Sequence, residues 1–318
     1  MKTVQFSALS LALAATLSAS LLQPAVAADK DETISFDFYG QANVALLRAD
    51  RPNNDETELA SYASRIGVKG GTELASGIEV IYQLEWEVDL TDLGGDDNLK
   101  SRNQFVGLKG SFGELTVGRR DTAVKYLQSG FDLFADYEGD IKNIFAGKNR
   151  TADTISYFTP MFDEWQFAAS YVLSEDDLVD DGKSLTVTYG DKKLKRTAFY
   201  FGAGIDRDVN GRDIERMVAM TKLGETQVGF MYQDQQRVDG TAQADGFVVN
   251  AVHPFGDFSV KAQYQLLDTG NGDQSSLAAG VDYKLGSNTT VYGWYTGQDF
   301  DNLDVEQTFV AIGLLHKF

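Results

Sequence analysis

The sequence predicts an all-β chain, a 16-stranded antiparallel transmembrane β-barrel with short periplasmic turns and long outer loops. Three observations carry that expectation. First, the dominant period is two: Ile78, Val80, Tyr82, Leu84, Trp86 and Val88 fall on one face, with Glu79, Gln83, Glu85 and Glu87, and also Ile81, on the other. Phe258, Val260, Ala262, Tyr264 and Leu266 likewise oppose Ser259, Lys261, Gln263 and Gln265, and Val228, Phe230 and Tyr232 oppose Gln227 and Gln233. Second, the breaks between such runs are alternately short and long, and the number of runs is even. Third, many runs reach ten residues or more, nearer the ~9–11 that cross a tilted bilayer than the ~5–6 of an ordinary strand. A soluble β-sandwich shows the same alternation. Sixteen strands with no helix would be large for one, and the polar faces carry Glu and Lys, as a wet lumen permits.

The elements follow in order. Residues 1–27 read as a cleaved signal peptide: Lys2 is the one charge, Phe6 to Leu22 is apolar, and Ala25-Val26-Ala27 is a small-x-small cleavage pattern. Beyond it no run of 18 apolar residues occurs, so no transmembrane helix is expected. The strands fall at about 34–47, 60–71, 77–88, 101–110, 114–120, 153–160, 165–173, 183–190, 196–206, 213–222, 225–233, 244–254, 257–267, 275–285, 288–298 and 305–318. Longer acidic connections lie near 48–58, 89–100, 121–152, 174–182, 206–213, 234–243, 268–275 and 299–304. No linker interrupts the pattern, so 28–318 is expected to be a single barrel domain.

Composition removes several functions. With 28 Lys+Arg against 47 Asp+Glu, the net charge of −19 argues against nucleic acid, which needs a basic surface. No Cys and two His, His253 and His316, leave no thiol chemistry, no plausible metal site and no Ser-His-Asp apparatus. Neither a metal nor a cofactor is expected, nor an enzyme: barrel proteases and phospholipases use fewer strands and a His-containing site. Asp206 to Gly211 mimics the start of an EF-hand loop, but Met217 stands where the twelfth-position Glu belongs. The low mean hydropathy, which reads as soluble, is what alternate lipid and water faces average to.

The last strand, Thr308 to Phe318, places Val310, Ile312, Leu314, His316 and Phe318 on one face and ends on an aromatic residue. Phe38-Tyr39-Gly40-Gln41, Ser64 to Gly70, Ser101 to Gly110 and Phe112 to Arg119 recur in this order and spacing. In these segments the sequence resembles the general, non-specific outer-membrane porins of Gram-negative bacteria, over the whole of 28–318. The resemblance implies a homotrimer of sixteen-stranded barrels in the outer membrane, among lipid and lipopolysaccharide, passing small hydrophilic solutes and ions. It also implies that Phe318 is read by the barrel-assembly machinery and that the third long loop folds inward.

That loop, about 121–152, is by far the longest connection, and loops of this length are usually functional. By resemblance Asp132, Asp136 and Asp140 fall where the family places constriction carboxylates, with Glu138 beside them. On composition alone a solvated acidic surface loop fits equally well. The opposing wall decides. By parity Arg65 and Arg150 point into the lumen, and Arg102 starts its strand in the matching motif. Parity favours Arg120 over its neighbour, whereas the family's Gly-Arg motif points to Arg119, so both are carried. Arginines facing a carboxylate loop make a transverse field across a pore. Gln41 stands where a relative would carry an added cation; with the acidic balance this suggests a mild cation preference. The inward residues are mostly Gln, Glu, Thr, Ser and Gly, without the aromatic slide of a sugar-specific channel. The competing expectation is a non-conducting outer-membrane barrel with an adhesion or envelope-structural role.

Overall fold

The structure, a computed structural model, describes residues 34–74, 77–91, 98–176 and 178–318. The expected signal peptide, and parts of the connections expected at 72–76, 89–100 and 174–182, lie outside the described residues. Seventeen strands are described: β1 (Ile34–Arg51), β2 (Asn54–Ser61), β3 (Arg65–Glu73), β4 (Glu79–Val88), β5 (Leu99–Gly110), β6 (Gly113–Asp121), β7 (Arg150–Phe158), β8 (Trp165–Val172) and β9 (Gly182–Tyr189). They continue with β10 (Phe199–Val209), β11 (Arg212–Leu223), β12 (Thr226–Arg237), β13 (Ala244–Phe255), β14 (Phe258–Asp268), β15 (Asp273–Lys284), β16 (Thr289–Phe300) and β17 (Val305–Lys317).

These seventeen make a closed barrel of 16 staves, because β2 and β3 are two halves of one stave, both paired with β1. The chain breaks step between them at Ala63, whose φ is +48°. Ser64 Oγ fills the gap: it accepts from Asn43 N at 2.9 Å and donates to Asn43 O at 3.2 Å, so the backbone polar groups of β1 stay satisfied. Every other neighbour pair is antiparallel and consecutive, and β17 closes the ring on β1, with Gln41 opposite Lys317 and Asp50 opposite Thr308. Closure leaves no unpaired edge, which is the condition for a sheet to cross lipid.

Burial is inverted relative to a water-soluble fold. Val117, Ile155, Leu185 and Leu277 are exposed, whereas their chain neighbours Thr116, Ser156, Ser184 and Ser276 are buried in the interior. The apolar set faces outward around the ring, where only lipid can cover it. Strands β11 to β16 run 11 or 12 residues, enough to cross at a tilt.

Two outer hairpins are tighter than their acidic composition suggested. Only Pro52 and Asn53 join β1 to β2, and only Asn210 and Gly211 join β10 to β11. Asn210 and Gly211 have φ of +51° and +70°, the pair of left-handed residues that a two-residue hairpin turn requires. The EF-hand-like segment is therefore strand and turn.

The interior is also less wet than expected. Tyr200, Val218, Met220, Met231, Val248 and Leu267 point inward and form one cluster with Leu127, Phe131, Ile141 and Phe145 of the long β6–β7 connection. That connection, Thr122 to Asn149, is loop 3, and it lies against the inside of β8 to β17.

Candidate functional site

Loop 3 leaves β6 through a short helix, α1 (Ala123–Leu127), capped by Thr122. Ser170 and Ser184, inward residues of β8 and β9, accept from the Ala123 and Val124 amides at 3.1 and 2.9 Å. Farther round, a row of inward amides holds the loop backbone. Asn250 donates to Phe131 O at 2.8 Å, Gln263 accepts from Leu133 N at 3.1 Å, and Gln265 and Gln298 donate to Gly139 O and Glu138 O, each at 2.7 Å. Arg216, fully buried on β11, bonds Gln233 Oε1 at 2.6 Å and Ala146 O at 2.7 Å, and also contacts Gln128 Oε1. Parity shows these Gln and Arg as inward residues; it does not show that their partner is the loop and not water.

The loop tip packs rather than hangs. Tyr137 meets Tyr62, Tyr292 and Trp294 with ring centroids 5.1, 5.0 and 5.7 Å away. Aromatic residues thus do face the lumen, but Tyr62, Tyr292 and Trp294 are buried beneath the loop and offer no surface along which a sugar could slide. On the periplasmic side the β9–β10 turn folds inward: Leu194 joins the loop cluster, and Lys192 donates to Tyr126 O and lies over the Tyr126 ring.

The four acidic tip residues divide by environment. Asp140 is fully buried, caps the 3-10 turn at Ile141–Asn143, and accepts from Asp136 N at 2.7 Å. Asp132 is nearly buried and accepts from Phe134 N, Ile141 N and Gln263 at 3.1, 3.2 and 3.2 Å. Lys148 sits among the carboxylates, in direct contact with Asp140, 3.8 Å from Asp132 and 3.9 Å from Asp136. Asp136, with φ of +72°, is the carboxylate of this group turned outward into the gap, 29 % exposed. Glu138 is half-buried, and burial pushes its carboxyl up.

Burial, reinforced by Asp140, pushes the Asp132 carboxyl up to about 7. Burial also opposes charge on Asp140, but Lys148 and Lys142 outweigh it and hold that carboxyl below its ordinary value. Between the ordinary carboxylate value of 3.8 and about 7, the packed loop holds a proton that an unpacked one releases. Loop packing therefore weakens as pH rises through that window. Open-channel current noise is expected to grow between mildly acid and neutral pH, and Asp132→Asn should flatten the profile; an unchanged profile in the variant would remove this assignment.

The opposing wall carries four of the five predicted arginines, each beside a partner; Arg119, in register on the face of the exposed Val117 and Val106, does not join them. Arg102 binds Glu85 at 2.7 Å and Glu87 at 2.6 Å. Arg150 binds Asp121 at 2.7 Å and Asn103 at 3.1 Å, and Lys125 of α1 shares Asp121 at 2.8 Å. Arg65 donates to Gln41 at 3.0 Å and stands 4.0 Å from Glu85. A bulge between Gly118 and Arg120 separates the two neighbouring arginines. Arg120 binds Glu114 at 2.7 Å between the Phe105 and Phe158 rings, while Arg119 pairs in register with Gln104 and its buried Nε has no partner among the described residues. Between wall and loop lies a cavity of about 560 Å³, lined by five cations (Arg102, Lys125, Lys142, Lys148, Arg150) and four carboxylates (Glu87, Asp121, Asp132, Asp136). Of the predicted residues, Asp132, Asp136, Arg102 and Arg150 meet there; Arg65, Arg119, Arg120, Glu138 and Asp140 do not line it. Phe318 lies at the barrel's terminal rim, exchanging backbone bonds with Gly40 at 2.8 and 3.1 Å.

Residues 8–303 match the family model for the Gram-negative porin. The chain is similar to the major outer membrane protein P.IB of Neisseria sicca, 26% identical over 250 residues that cover 74% of this chain and 67% of the relative. Among solved structures it is similar to the anion-selective porin from Comamonas acidovorans, with a TM-score of 0.74 and 22% identity, covering 90% of this chain and 100% of that one. It is also similar to the trimer form of OmpT from Vibrio cholerae, with a TM-score of 0.64 and 19% identity, covering 90% of this chain and 100% of that one. An inverted, closed 16-stave barrel with a loop folded into its lumen, matched by the family model over most of its length, belongs to the Gram-negative porin family: a non-enzymatic channel protein of the outer membrane.

Proposed function

We propose that the chain is a diffusion channel whose constriction is the gap between loop 3 and the β4–β7 wall, and that its cation preference is mild. The observation that carries this reading is the near balance of charge around the gap above about pH 7, where Asp132 is ionised: five cations against four carboxylates, nearly all in pairs. Paired charges still set a transverse field, but their sum gives little reason to prefer either ion. Preference then comes from the acidic outer connections, such as Glu175, Asp176, Asp180 and Asp181 before β9 and Asp299, Asp301, Asp304 and Glu306 around the β16–β17 turn. Such surface charge is screened within about 10 Å at 0.1 M salt and about 3 Å at 1 M.

Reversal potentials across a KCl gradient test this. Cation preference is expected at low salt and should fade toward unity in concentrated salt. Asp136→Asn should lower it further, because Asp136 faces the gap. A preference that persists undiminished at high salt would place the selectivity inside the constriction instead. A structural neighbour of the same architecture is an anion-selective porin, so a reversal potential of the anion sign at low salt would contradict the reading.

The chain's other expected properties belong to the same proposal. Residues 1–27 direct export, Phe318 at the rim marks the terminal strand for the assembly machinery, and the barrel stands in lipid and lipopolysaccharide as a homotrimer. The trimer form of a structural neighbour supports the last point. Chemical crosslinking of the purified protein is expected to yield a ladder ending at three; a ladder that stops at monomer contradicts it.

A further inference from the structure

A second recess, of about 430 Å³, opens on the outer side of loop 3, between its returning limb and the outer ends of β11 to β16. Among the described residues its lining contains no carboxylate, in a chain that carries 47 of them. It contains two cations, Arg212 and Lys142. Arg212 is inward by parity with Ile214 and Arg216, and has no hydrogen-bond or ion-pair partner among the described residues. It stands directly opposite Arg237 across the β11–β12 ladder, so two like charges face each other, an arrangement that an anion between them would relieve. Arg237 has a partial partner in Asp239 at 3.5 Å. Lys142 is half-exposed, 3.9 Å from Asp140, and is the one residue that lines both this recess and the constriction. The remaining polar lining is largely amide, with Gln274 and Asn302 only 3.5 Å apart, at the limit of a hydrogen bond. Phe145 and Leu267 form an apolar floor.

We propose that this recess is a docking site for small hydroxylated carboxylates, the chemical class of sugar acids, from which they pass over Lys142 into the gap. Arg212, unpaired and with no carboxylate beside it in the lining, selects an anion, and Lys142 adds a second positive charge although Asp140 lies behind it. Side-chain amides, which donate and accept, suit hydroxyl groups. An apolar floor takes the C–H face of a ring, and the volume lies within the ordinary range of small-molecule sites, about 300–1,000 Å³. The passage step rests on the reading of the chain as a channel; the binding step does not.

The test is saturation-transfer NMR on the full-length protein in detergent, with D-glucuronate as probe and D-glucose and inorganic phosphate as comparisons. Glucuronate is expected to show saturation transfer, glucose little, and phosphate to displace glucuronate only at large excess. Arg212→Gln should weaken glucuronate at least tenfold, while Arg212→Lys, which keeps the charge, should retain most of the binding and so exclude misfolding as the cause. Equal signals from glucose and glucuronate, equipotent displacement by phosphate, or glucuronate binding unaffected by Arg212→Gln would each overturn the proposal. KCl conductance of the same wild-type preparation separates the two readings: conduction without glucuronate binding removes the docking site alone, whereas absence of conduction removes the channel.

Discussion

Arg102→Gln is expected to raise cation over anion permeability, and Asp121→Asn to move it the opposite way. The two residues line the same cavity and each is the shared partner of two opposite charges. Removing Arg102 leaves Glu85 and Glu87 uncompensated; removing the Asp121 charge leaves Arg150 and Lys125 so. A unit charge seen at about 4 Å through water is worth about 1 kcal/mol, roughly a fivefold change in local counter-ion concentration. Shifts of a few-fold in permeability ratio, with opposite signs, are therefore the expected scale. Both substitutions remove one charge, so a general loosening of the wall would move them in the same direction. Bi-ionic reversal potentials measure this directly, and same-sign shifts would contradict a balanced constriction.

Lys148→Met is expected to release loop 3 without unfolding the barrel. Lys148 is the cation shared by Asp132, Asp136 and Asp140, and two of those carboxylates are almost wholly buried. Breaking a buried ion pair by removing one partner typically destabilises by about 3–5 kcal/mol, because the remaining charge is left uncompensated. The strand ladder makes no use of Lys148, so the barrel keeps its hydrogen bonds and the loss falls on the loop. Larger and noisier conductance and a higher exclusion size in liposome swelling should follow. Adding Asp140→Asn to Lys148→Met removes the stranded charge, since Asp132 without its cation stays protonated, and should recover much of the quiet state. An unchanged exclusion size in Lys148→Met would show that the amide row and Arg216 hold the loop by themselves.

The barrel was legible in the sequence because its determinants are periodic. Val117 beside Thr116 and Leu277 beside Ser276 state in two letters which side meets lipid, and sixteen such runs leave little choice of architecture. Strand ends were less legible, since acidic residues such as Asp55 and Asp206 suggest loop where tight hairpins in fact continue the strands. The position of loop 3 came from family resemblance, and its attachment was beyond parity. Gln263 and Gln265 sit on the polar face whether they bind water or Gly139 O. The same limit applies to charge. Parity turns Arg150 inward and the family motif places Arg102, but neither can reveal that Glu85, Glu87 and Asp121 turn with them, which converts an exposed basic wall into a row of pairs. Lys148, twelve residues along the chain from Asp136 in the middle of the acidic tip, became visible as its counter-charge only once the loop folded back on itself.

If the lumen conducts past loop 3, single-channel recording of the purified full-length protein in a planar bilayer shows it without recourse to any variant. Large, ohmic conductance steps grouped in threes, unblocked by neutral sugars, are expected. Insertion of folded barrels into the bilayer without conductance steps would contradict it and leave an envelope-structural barrel.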